Sequence, residues 1–198
     1  MRPHEACAGR QSGAGFYHSG MIRIGLVIFL SLATVLPAAA QIARAAKVDW
    51  LEAGVICAPE AIGFRDAPET ITGRAHIIEA MPDFVAQTQV VPAVIGVGFG
   101  VKLQATAETP FQPVTITLSH PPMGAEGISR QSFTSAISGE TPTVAFFQFD
   151  HGYELVEGTW YFEAREGDQL IYRVAFRIVP PQQVPALANA CHYQDLLS

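Results

Sequence analysis

The chain has 198 residues, the size of one ordinary domain, and carries 12 Lys and Arg against 18 Asp and Glu, for a net charge of −6. No window collects its basic residues, so a phosphate backbone or an anionic lipid surface would be repelled rather than held. Nucleic-acid binding is excluded on this ground.

In chain order, residues 1–20 are Gly-rich and long for the start of an export signal. They read as an N-terminal extension ahead of a better start at Met21. Residues 21–45 read as a signal peptide. Arg23 supplies a positive start, Ile24 to Val35 an apolar core of twelve residues, and Pro37 a break before the small residues Ala38, Ala39 and Ala40. Cleavage is expected after Ala40, with Ala45 as the alternative. A membrane-spanning helix needs about 20 apolar residues, so this run does not predict an anchor, and no membrane span is expected after cleavage. Loss of Arg2, Arg10, Arg23 and Glu5 takes the net charge from −6 to −8.

The remainder reads as strands. Lys47–Cys57 and Ile71–Ile78 come first. Val97, Phe99, Val101 and Leu103 then alternate with small or polar residues, as do Val114, Ile116 and Leu118 with threonines. Ser129–Ile137 is weaker. Thr143–Phe149 is apolar on both faces and is expected at the centre of a sheet. The clearest unit is a hairpin over Gly158–Val179 with its turn at Glu166, Gly167 and Asp168. Trp160, Phe162 and Ala164 share one face of the first arm; Leu170, Tyr172, Val174, Phe176 and Ile178 share one face of the second. Tyr161 and Ile171 interrupt the polar face. Prolines fall between the runs, and His120-Pro121-Pro122-Met123 predicts a stiff bend outside the pairing. A short helix is expected over Ala186–Leu197. Seven or eight short strands without helical crossovers predict an all-β fold, an antiparallel immunoglobulin-like β-sandwich over residues 46–181, followed by a C-terminal tail or short helix over 182–198.

Three glycines, Gly96, Gly98 and Gly100, stand at alternate positions in V-I-G-V-G-F-G-V-K-L. A dinucleotide fingerprint needs G-x-G-x-x-G leading into a helix, whereas a strand pattern follows here. The glycines are therefore structural. They leave one face of a strand bare, and Trp50 or Trp160 is expected to pack against it.

Four motifs in order, P-A-x-x-G-x-x-F-G (Pro92 to Gly100), H-P-P (His120 to Pro122), E-L-V-E-G-T-W-Y-F-E (Glu154 to Glu163) and A-F-R-I-V (Ala175 to Val179), resemble a bacterial exported family, the domain of unknown function DUF3859. The resemblance spans about Val48 to Val179. It implies a small exported β-rich protein and supplies no activity, cofactor or catalytic residue.

Two cysteines, Cys57 and Cys191, remain after cleavage, and in an exported chain they predict one disulfide, with two free buried thiols as the alternative. Of the four histidines, His76, His120, His151 and His192, none is paired at metal-ligand spacing. The local candidates for chemistry are Asp150, His151 and Glu154 in F-D-H-G-Y-E, with His120 as a further group that would have to converge on them. The plainer reading of that loop is a polar turn. No nucleophile elbow is present. No catalytic, cofactor-binding or metal residue is therefore assigned and no cofactor is expected. The leading reading is a non-enzymatic binding or accessory module, periplasmic or else secreted, with an envelope protein, a glycan or a small ligand as partner. The alternatives are a structural or chaperone-like subunit acting through strand edges, and a small hydrolase or metal protein centred on Asp150, His151 and Glu154.

Overall fold

The structure, a computed structural model, describes residues 42–108 and 110–191. The extension over 1–20, the leader up to residue 41, His192 and the remainder of the expected C-terminal helix lie outside the described residues. Eleven strands follow one another: β1 (Ile42–Arg44), β2 (Val48–Cys57), β3 (Ala61–Asp66), β4 (Arg74–Ile78), β5 (Val90–Pro92), β6 (Val97–Ala105), β7 (Phe111–Met123), β8 (Ile128–Ile137), β9 (Thr143–Gln148), β10 (Gly158–Glu166) and β11 (Gln169–Val179). Eight match the runs read from the sequence; β1, β3 and β5 are additional and short. A single helical turn, α1 (Pro185–Ala188), is all that forms of the C-terminal helix among the described residues.

The strands make an immunoglobulin-like sandwich. One sheet has the order β1-β11-β10-β7-β8, with β5 beside β11 in the one parallel pairing; the other has the order β2-β6-β9. β3 and β4 form a separate hairpin. The alternation in β10 and β11 sets their register: Trp160 opposes Phe176, Phe162 opposes Val174 and Ala164 opposes Tyr172. All six side chains turn into the core, where they are essentially solvent-free. Between Ala164 and Arg165 the register slips, and Ile171 is the residue skipped; it is the extra residue of a bulge and is wholly buried. Tyr161 is covered from outside by the Arg173 guanidinium, 4.4 Å from its ring centre.

From the other sheet, Val97, Phe99, Val101 and Leu103 of β6 meet this layer. Phe99 lies at its centre, with Trp160, Phe162 and Phe176 at 5.7, 5.8 and 5.0 Å between ring centres.

The glycine face of β6 is explained differently from the sequence expectation. Neither tryptophan covers it. Trp160 lies on the opposite, core side, and the Trp50 indole N–H donates to Gln104 Oε1 at 3.4 Å. A Cβ on Gly100 would instead collide with the Ala145 carbonyl oxygen and Phe146 of the neighbouring strand. One on Gly98 would stand 2.8 Å from Ile56 Cγ1. The face is bare because β2 and β9 approach it closely. Beside Gly100, the Phe84 ring lies 2.6 Å from where a Cβ on Gly54 would be. Gly96 precedes the strand at φ +83, a left-handed turn residue whose N–H donates to the Phe149 carbonyl at 2.9 Å.

Two further expectations change. His120 to Met123 is not a bend but the end of β7. The prolines are tolerated because pairing with β10 stops at Ser119 and pairing with β8 skips from Ser119 to Met123, so neither ring removes a ladder hydrogen bond. β9 is not central but an edge of the three-stranded sheet. Its unpaired side borders a cavity shared with the β3–β4 hairpin rather than another strand. The strand Ile42–Arg44 pairs with β11, so cleavage after Ala40 would retain it and cleavage after Ala45 would remove it.

Candidate functional site

The β3–β4 hairpin is pinned across the side of the sandwich by three sets of bonds to β8. The Ser132 N–H donates to the Glu69 carbonyl at 3.1 Å. The Ile71 N–H donates to Gln131 Oε1 at 2.9 Å, and Arg65 Nη1 to the Thr134 carbonyl at 3.1 Å. Between this hairpin and β9 lies a cavity of about 210 Å³. Its apolar wall is Phe133, Val144, Phe146 and Ile78. The polar groups are Arg65 and Arg74 from the hairpin and, from β4 and the loop after β9, His76, Asp150 and Glu154.

Asp150 does have a histidine partner, but it is His76. His76 Nε2 lies 3.3 Å from Asp150 Oδ2, and Gln148 Nε2 donates to Oδ1 at 2.8 Å. The His76 ring stands edge-on to Phe64 at 5.1 Å. With Nε2 turned to the carboxylate, Nδ1 is buried without a hydrogen-bond partner among the described residues, and so is Gln148 Oε1. His151, the sequence candidate, is exposed and stacks on Tyr153 at 5.2 Å. Glu154 turns inward to cap the 3-10 turn over Gly152–Glu154. Its Oε2 accepts the Asp150 and His151 N–H groups at 2.7 and 2.8 Å. Burial raises its pKa above the usual carboxylate value, against the lowering effect of those two hydrogen bonds.

His120 does not join this group. It is buried behind Gln131 and stacked on Trp160 at 4.5 Å. One tautomer satisfies every neighbour. Nδ1–H donates to the Pro121 carbonyl at 2.8 Å, and Nε2 accepts from the Gln131 amide at 3.2 Å, whose oxygen already holds the Ile71 N–H. Both ring nitrogens are used, so His120 is a structural link from the core to the hairpin. Among the described residues no group of three or more His, Cys, Asp or Glu could hold a metal ion.

Burial lowers the His120 pKa below its ordinary 6.5, outweighing the bond to Pro121. The unfolded chain therefore binds the proton more readily. Stability contributed by the neutral ring is complete above pH 6.5 and is lost as pH falls from there through the folded-state pKa. Glu154, with a raised pKa, acts in the opposite sense, because its charged form is disfavoured on folding. The wild type and His120→Gln share Glu154 and the other histidines. The difference between their urea-derived stabilities should shrink as pH is lowered from 7 to 5; a difference independent of pH would show that the ring is not held neutral.

Among the residues the sequence reading passed over as site groups, His76, Arg65, Arg74 and Gln148 are brought together only by the hairpin. No spacing in the chain links position 76 to position 150.

Cys57 and Cys191 form the disulfide, Cα to Cα 5.2 Å, joining the end of β2 to the segment after α1. No curated protein matches this chain. A solved immunoglobulin-like protein from Pseudomonas aeruginosa is similar to it at 22% identity, covering 72% of this chain and 99% of that one, with a TM-score of 0.45. A family model described as domain of unknown function (DUF3859) matches residues 44–178. The chain belongs to the DUF3859 family.

Proposed function

We propose that this protein is an exported binding module of the cell envelope, and that its ligand occupies the groove between the β3–β4 hairpin and β9. The observation that carries this reading is the groove itself. It has an apolar wall with guanidinium groups and a His–Asp pair beside it, and no serine or cysteine among the described residues that line it. The nearby Thr70 and Thr72 hydroxyls are turned to backbone carbonyls: Thr70 donates to Ala67 at 2.8 Å and Thr72 to Arg74 at 3.1 Å. Export is supported by the leader pattern and by a disulfide, which persists in oxidising compartments. No helix among the described residues is long and apolar enough to cross a membrane.

The test is native mass spectrometry of protein recovered from the envelope fraction of its own host. The expected species lacks residues 1–40, retains the disulfide and carries a reproducible extra mass. That extra mass should be lost from Phe146→Arg and from Ile78→Arg, each checked for an unchanged unfolding transition. A bare wild type, or an extra mass that both variants keep, would remove the groove from the function.

A further inference from the structure

We infer that the groove takes an extended peptide segment of a partner protein, added as a strand to the β9 edge, with an acidic group of that segment lying against Arg65 and Arg74. The inference rests on the groove being the binding site.

Main-chain direction decides which groups of β9 are free. The Phe149 N–H donates to the Val97 carbonyl, and the Phe149 carbonyl accepts from the Gly96 N–H, both at 2.9 Å. Phe149 therefore faces β6 with both of its main-chain groups. In a strand this alternates, so Thr143, Ala145 and Phe147 face β6 too, while Val144, Phe146 and Gln148 direct theirs away from it. The carbonyls that a Cβ on Gly98 and Gly100 would meet are those of Phe147 and Ala145, as this parity requires. On the far side of β9 no described strand pairs, and among the described residues no hydrogen bond engages the main chain of Val144, Phe146 or Gln148.

The cavity lies along that edge. All five consecutive residues Val144 to Gln148 line it, whereas the face of a strand would contribute only alternate ones. The opposite wall includes β4, also paired on one side only. The Gly73 carbonyl accepts from the Ala67 N–H of the β3 side, so His76, three positions on, directs its main chain toward the groove. Among the described residues neither its N–H nor its carbonyl has a partner.

The adjacent edge of β8 is treated differently. It is closed by the Glu69 carbonyl and the Arg65 side chain. A free apolar edge is normally an aggregation hazard and is blocked by charge, proline or a covering loop. Here one edge is blocked and its neighbour is left open within a groove, the arrangement used for strand addition.

Charge selects the occupant. Arg65 and Arg74 lie over the rings of Phe133 and Phe64, at 5.4 and 4.9 Å, and neither meets a carboxylate among the described residues. In a chain of net charge −6, two cations without acidic partners at one groove favour an acidic ligand.

The probe is a synthetic peptide of about six residues, alternating Thr and Val and ending in Glu with a free carboxylate, titrated into isotopically labelled protein. The expected result is saturable change of the Val144, Phe146 and Gln148 amide resonances together with slowed amide exchange at these positions. The same peptide N-methylated throughout should give neither. An amidated version with Gln in place of Glu should bind at least about tenfold more weakly, and Arg74→Gln should erase that difference. Equal shifts with the N-methylated peptide would overturn strand addition while leaving the groove as a site for a different ligand. The absence of any change would also overturn it, and the groove reading would then stand or fall with the native mass experiment. Changes that follow protein concentration instead of peptide would assign the edge to a second copy of this chain, which also overturns the inference.

Discussion

Phe99→Ala is expected to lower the stability of the domain by about 4 kcal/mol, a large share of the roughly 5–15 kcal/mol that holds an ordinary domain folded. Phe99 is fully buried, and its ring touches five others: Phe147, Phe149, Trp160, Phe162 and Phe176, all within 6.0 Å between centres. Those rings come from both sheets, so no single strand can move in to fill the space, and the cavity cost adds to the lost transfer free energy. Tyr153→Ala, at an exposed aromatic, should change stability by no more than about 0.5 kcal/mol. Urea unfolding of both variants decides the matter. A cost below about 1.5 kcal/mol for Phe99→Ala would mean that the sheets collapse around the deletion and that the aromatic cluster does not hold them together.

Opening the disulfide should cost a similar amount. The bond joins residues 134 apart and so restricts nearly the whole domain in the unfolded state. In the chain-entropy treatment a loop of that length is worth roughly 5 kcal/mol, and removal of native disulfides generally costs about 2–5 kcal/mol. The double variant Cys57→Ala with Cys191→Ala is expected to unfold at a urea concentration lower by roughly 2 M, and the reduced wild type should behave alike. A shift under about 0.5 M would show that the β2 end and the C-terminal segment stay together without the bond. The physiological consequence follows from compartment. A chain kept in a reducing cytosol would lack this contribution, and one in an oxidising compartment would have it.

The hairpin of β10 and β11 was legible in the sequence because its information is local. A period of two sustained over Trp160 to Ala164 and again over Tyr172 to Ile178 needs no knowledge of the rest of the chain. The same holds for β6, for the sandwich class and for the structural role of its glycines, since a strand pattern following Gly100 already conflicts with a phosphate loop. The cysteine pairing was legible for a different reason: beyond the leader pattern there are two cysteines, and so one pairing to consider. β1, β3 and β5 were not legible. Two of them are three residues long, too short to show a period, and β3 alternates against solvent, with Ile62 and Phe64 exposed.

What the sequence determined by itself was which residues alternate and hence which segments pair into layers, because alternation is a property of neighbouring side chains. What only the tertiary structure decided was adjacency between distant segments. Asp150 meets His76 instead of its neighbour His151 because the β3–β4 hairpin folds across β9, and consecutive side chains diverge where a turn begins. His120 is withdrawn into the core because Trp160 and Gln131 approach it from two other strands. β9 reads as a central strand in isolation, since apolar residues on both faces look the same whether or not a further strand pairs beside them. Its open edge, the feature on which the function proposed here depends, is a property of which strands are missing beside it, and no pattern within Thr143–Gln148 encodes that.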